Sequence, residues 1–290
     1  MPAVRASERL RSRSNGGGIM KRTWMVGLVG IVGGGLLAVA VLSLFDREAA
    51  GQPAYTAPRL PDDTPDLQGI WQVLNTADVN IQAHSASSDG PAGQGVVVGN
   101  ELPYLPEALA KRQENYENRL AEDPVQNCFL PGVPRSNYRP FPFQIVQAPG
   151  HVAILHEYVH AQRRVYTDGS PHPADVEFWM GDSRGHWEGD TLVVDVTNFN
   201  DEAWFDHVGN FHSSALHVVE RYTPVGPDHL QYEATIEDPQ VFSEPWTMSM
   251  LLYRRKEPNA QIFDYQCYAF DHDKKGLSIP LARMAGPESE

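Results

Sequence analysis

The chain has 290 residues, 41% of them hydrophobic, and a formal net charge of −14, enough for one large core or two small ones. Residues 1–23 hold six cations and one acid, so the rest holds 17 cations and 36 acids, a net of −19. So acidic a body repels phosphate backbones, which excludes nucleic acid as a partner.

Residues 1–23 read as a basic cytoplasmic tail. Trp24–Phe45 follows as 22 residues without a charge. As a helix that run spans roughly 30 Å, a bilayer core. Cations precede it and Asp46, Arg47 and Glu48 follow, so the positive-inside rule places residue 46 onward outside the inner membrane, in the periplasm. The competing reading is a cleaved leader starting at Met20, with Ala49-Ala50-Gly51 as its cleavage site. Gly27, Gly30 and Gly34 are candidate helix-packing positions, Gly30 and Gly34 forming a GxxxG pair. The bland alternative is that glycine is common in membrane helices.

Residues 46–66, rich in Pro, Ala and Asp, read as a linker. A main domain over 67–275 and a tail over 276–290 complete the chain. The domain opens with a strand at Gly69-Ile70-Trp71, followed by a polar, Gly-rich loop over 76–100. The spacing predicts a helix over 106–122, started by Pro106, with Leu109, Tyr116 and Leu120 as its apolar stripe. Strands are then expected over 141–147, 151–159 and 163–167, with a turn at Asp168-Gly169. Thr191–Asn198, Ala215–Pro224 and His229–Asp238 are Val-, Thr- and Tyr-rich runs bounded by turn residues, with Glu188-Gly189-Asp190 as a hairpin turn. Trp246–Arg254 and Gln261–Tyr268 are the last expected strands. Nine or ten strands in a meander make a mainly β fold, an antiparallel barrel or curled sheet with one or two short helices. Cys128 and Cys267, even in number and outside the cytoplasm, point to a disulfide; two buried thiols are the alternative.

The series PDLQGIW (65–71), NCFLPGVPR (127–135), FQIVQAPG (143–150), GDSRGHWEGDTLVVDVTNFNDEAWFD (181–206), HSSALHVVERY (212–222), ATIEDP (234–239) and EPWT (244–247) resembles a large family of exported bacterial lipocalin-like β-barrel proteins. The resemblance spans about 65–270. It implies a lipocalin-like barrel, with Trp71 plugging one end, and an export route, but no activity. A membrane anchor in place of a plain export signal departs from that pattern.

Two constellations are candidates for chemistry. His156-Glu157-Tyr158-Val159-His160 matches HExxH, which on a helix sets two zinc ligands on one face with Glu157 as general base. On a strand the two histidines stand about 13 Å apart, too far for one ion. The second is Asp206, His212, Glu220 and Arg221, with Trp204 and His207 nearby. A carboxylate fixing a histidine tautomer makes a general base; the structural alternative is that these residues tie down the 199–214 loop. Trp71, Trp187, Trp204 and Trp246 read as packing. No phosphate loop, nucleophile elbow, CxxC or haem-attachment motif is present, so no cofactor is expected.

The leading expectation is a membrane-anchored, non-catalytic accessory subunit. Its partners would be the lipid bilayer and other subunits of a photosynthetic reaction-centre, antenna or respiratory complex. The alternatives are a barrel that binds or transforms a small apolar ligand with Asp206 and His212, and a zinc metallopeptidase using His156 and His160.

Overall fold

Alternating apolar and polar residues need a sheet with one wet and one dry face, and the chain meets this by curling the sheet on itself. The computed structural model describes residues 55–265 and Cys267. Nine strands form a closed barrel in which each pairs with its neighbours in chain order. They are β1 (Gly69–Gln72), β2 (Phe143–Ala148), β3 (His151–His156), β4 (Gln162–Tyr166), β5 (Asp182–Glu188), β6 (Thr191–Thr197), β7 (His217–Gly226), β8 (His229–Glu237) and β9 (Trp246–Arg254). The helix α1 spans Pro106–Glu122, as its spacing predicts. Among the described residues, no helix is long and apolar enough to cross a membrane. Trp24–Phe45, with Gly27, Gly30 and Gly34, lies outside the described residues.

Turn chemistry explains the hairpins. Glu188 pairs with Thr191 across a two-residue turn in which Gly189 adopts φ 62°, a conformation that favours glycine. Strand alternation then fills the barrel. On β7, β8 and β9 every second residue is buried, so Tyr222, Leu230, Tyr232, Ala234, Ile236, Met248 and Leu252 point inward. Trp71 on the short β1 is fully buried. Its indole N–H donates to the Leu67 carbonyl at 3.0 Å, and the Arg254 guanidinium carbon lies 4.2 Å from the ring centroid.

The structure corrects the sequence reading in several places. The barrel is not wholly antiparallel: β4 and β5 run parallel through Val165↔Ser183 and Tyr166↔Arg184. The long 167–181 connection returns the chain to its starting end, where a tight turn at Asp168-Gly169 would have reversed it. The strand expected over 151–159 ends at His156; Tyr158–His160 is a 3-10 turn. No strand forms over 261–265, because β9 already pairs with β1 and the closed barrel leaves no edge. The stripe Leu109, Tyr116 and Leu120 faces outward. The helix packs instead through Ala108 and Asn115, whose amide donates to the Gly209 carbonyl at 3.3 Å. Within the described part of the 46–66 stretch, Arg59 pairs with Asp190, and Ala57 is buried.

The disulfide joins Cys128 and Cys267. It ties the turn after α1 to the segment beyond β9, not to a last strand.

Candidate functional site

The barrel's most unusual feature is a charged pair at its centre. Glu220 (β7) and Arg163 (β4) occupy inward positions of their strands, and both are buried. Arg163 Nη1 donates to Glu220 Oε1 at 3.0 Å, and Nη2 donates to Oε2. Arg163 Nε donates to Ser183 Oγ on β5 at 2.9 Å. The remaining capacity of Glu220 Oε1 is met by Asn137 Nδ2 at 3.0 Å, Tyr222 OH at 3.0 Å and Tyr232 OH at 2.8 Å. Burial and the facing Glu220 carboxylate push both tyrosine hydroxyls well above their ordinary pKa. The two tyrosine hydroxyls therefore keep their protons near neutrality and serve as donors to the carboxylate.

Asn137 enters from a 3-10 turn over Arg135–Asn137 that caps this polar layer. The turn is anchored from behind by Arg135, which donates to both oxygens of buried Asp123 at 2.7 and 3.0 Å and to Asp78 at 2.9 Å. His207 Nδ1 also meets Asp123, at 2.9 Å. Burial alone would raise the Asp123 pKa; Arg135 and His207 more than reverse this and hold it far below the carboxylate range.

The four residues grouped in sequence are not one site. Glu220 lies inside the barrel, whereas Arg221, the next residue on β7, points outward to Glu188 at 2.8 Å. Asp206 and His212 are both buried, and each bonds within the 199–214 loop or its surroundings. Asp206 accepts from the Ile81 and Asn210 backbone N–H groups at 3.0 and 3.1 Å and from Asn210 Nδ2 at 2.6 Å. Burial raises its pKa to about 6 despite those donors. His212 Nδ1 bonds the Ser213 carbonyl at 2.9 Å, and burial lowers its pKa. Neither meets open space.

The HExxH geometry does not form. His156 is the last residue of β3 and points into the barrel; His160 sits on the following turn with φ 54° and lies 3.6 Å from Asp264. Among the described residues, no group of three His, Cys, Asp or Glu is arranged to hold a metal. An open groove of about 420 Å³ lies outside the barrel, where Leu74, Asn75 and Gln94 face Ser249, Met250 and Tyr253 of β9.

Sequence reasoning missed Arg163, Asn137, Tyr222 and Tyr232. The available signal was alternation: Arg163 sits two residues before buried Val165, so the phase that buries Val165 also buries Arg163. No protein-family model matches the sequence, and neither a curated protein nor a solved structure is significantly similar to it.

Proposed function

We propose that this chain is a non-catalytic accessory subunit of a bacterial membrane complex, tethered by residues 24–45 and presenting its acidic barrel on the periplasmic side. The observation that carries this reading is the barrel interior. Trp71, Phe143, Tyr222, Tyr232 and Met248 fill it, and its one central ion pair is saturated by neighbouring donors. A ligand-carrying barrel needs an interior void lined by apolar groups with a few free polar ones. Catalysis by Asp206 and His212 would need at least one of them to reach a substrate, and both are sealed in loop packing. A self-filled barrel is suited to scaffolding, with its outer face and its apolar N-terminal run as the contact surfaces.

The resemblance to exported lipocalin-like proteins supports the placement outside the cytoplasm and is silent on activity. The test is purification of the tagged full chain from native membranes in mild detergent. Stoichiometric recovery with other membrane subunits is expected. A lone, monodisperse monomer, or a mature chain beginning near residue 50 and released as a soluble protein, would overturn the proposal.

A further inference from the structure

Three side-chain atoms around the central polar layer lack a hydrogen-bond partner: Ser136 Oγ, Asn137 Oδ1 and His156 Nε2. Their residues are 2%, 1% and 4% exposed. Polar atoms buried this deeply are nearly always satisfied, by protein or by ordered water. The three are linked by contacts. The Ser136 backbone acts on the His156 imidazole. Ser136 adjoins Asn137, whose Nδ2 donates to Glu220. Glu220 holds Arg163, and the Arg163 charge acts on His156. The circuit therefore closes on itself within one corner of the barrel, between the 135–137 turn and strands β3, β4 and β7.

We infer that this corner is a sealed binding site for an ordered water molecule, held by His156 Nε2, Asn137 Oδ1 and Ser136 Oγ. The donor and acceptor pattern selects the occupant. Asn137 must turn its NH₂ toward the Glu220 carboxylate and Tyr222, so its Oδ1 is left as a bare acceptor. The His156 ring is neutral, because burial and the neighbouring Arg163 hold its pKa down to about 3. In the tautomer protonated at Nδ1, which the Ser136 backbone favours, Nε2 presents a lone pair. The occupant must therefore supply two hydrogens, to Nε2 and to Oδ1, and Ser136 Oγ can donate to it in return. Water meets all three requirements with about the number of bonds a buried water makes. An anion would face two lone pairs, and a metal or ammonium ion would sit against Arg163. In this arrangement water fastens the capping turn to the barrel wall, alongside the direct Asn137 bonds.

A crystal structure of the full chain, at a resolution that shows ordered solvent, tests this. A single solvent peak at about 2.6–3.2 Å from both His156 Nε2 and Asn137 Oδ1 is expected. No peak there, a direct bond between the two side chains, or a metal about 2.1 Å from Nε2 would overturn it. In solution, the ¹⁵N resonance of His156 Nε2 should show an unprotonated, hydrogen-bonded nitrogen that shifts when Asn137→Leu removes one water ligand. A resonance typical of a free lone pair, unmoved by that change, would count equally against it.

Discussion

Glu220 and Arg163 meet inside a barrel built mostly of apolar side chains, and the cost of burying either charge depends on the other. Removing one partner of a buried, hydrogen-bonded pair costs about 3–5 kcal/mol, because the survivor is left charged in low dielectric. Glu220→Leu should lower the melting temperature by about 6–20 °C, at about 2–4 °C per kcal/mol for a domain of this size. The double change Arg163→Met with Glu220→Leu should be milder than the sum of the singles, although Asn137 Nδ2 and the Tyr232 hydroxyl still lose an acceptor. Strictly additive thermal denaturation results would refute the coupling. His156 gives a second prediction, in pH. Its folded pKa of about 3 lies below the ordinary 6.5, so the unfolded chain binds the extra proton between those values. The stability contributed by neutral His156 is complete above pH 6.5 and is lost as pH falls toward 3, by up to about 5 kcal/mol at about 1.4 kcal/mol per pH unit. Asp206 acts in the opposite sense: its folded pKa is raised to about 6, so its contribution is present below about 3.8 and is lost as pH rises to 6. Urea midpoints measured from pH 7 to 4 should therefore fall less steeply in His156→Phe than in the parent; equal slopes would contradict this. Sequence alone singled out Glu220 and not its partner. Arg163 and Arg164 are adjacent, one of them must face inward, and the strand phase that decides which is set by barrel pairing.

At the scale of elements, the helix shows which kind of information a sequence holds. Pro106 and the stop at Asp123-Pro124 made the ends of α1 legible. Its buried face was not, because contact is made by the small Ala108 and the polar Asn115 while larger apolar residues face solvent. The packing partner is Gly209, at φ 87°, where an added Cβ would lie 2.7 Å from Asn115 Cβ and 2.8 Å from the Tyr116 nitrogen. Gly209→Ala combines backbone strain with a backbone clash and should cost more than about 2 kcal/mol. Leu120→Lys, on the exposed face, should stay within about 0.5 kcal/mol of the parent. Chemical denaturation of both variants checks the contrast, and a larger loss for Leu120→Lys would mean the helix packs by its other face. The Cys128–Cys267 bond spans a sequence separation of 139 residues, and long closures restrict the unfolded chain most. Replacing both cysteines by serine should cost about 2–5 kcal/mol. No change on reduction of the parent would show that the bond does not form.

For the whole molecule, the meander order was legible because each strand is followed by turn residues. A barrel was legible as one of two outcomes, with a curled sheet as the other, and closure between β1 and β9 settles it; the parallel β4–β5 junction was not legible, since sequence marks strands without saying how a 15-residue connection from Thr167 to Gly181 runs. Those two junctions are also the thinnest parts of the wall. β1 meets β9 only at Trp71↔Arg254 and Gln72↔Tyr253, and β4 meets β5 only at two positions, whereas β7 and β8 pair from His217↔Glu237 to Gly226↔His229. Opening free energy follows local pairing and burial. Two features reinforce the thin seams: Arg254 stacks on Trp71, and Arg163 bridges from β4 to Ser183 on β5 as well as to Glu220 on β7. The β4–β5 seam thus has a buried charged brace, and the β1–β9 seam has an aromatic contact at the barrel end. Amide hydrogen exchange should accordingly be fastest at Gln72 and Tyr253, intermediate at Val165 and Tyr166, and slowest at Tyr222 and Tyr232. Trp71→Ala should speed exchange along β1 and β9 well before it affects β7–β8. Uniform protection around the barrel, or first opening between β7 and β8, would show that the wall unfolds as one unit and that the seams carry no separate weakness.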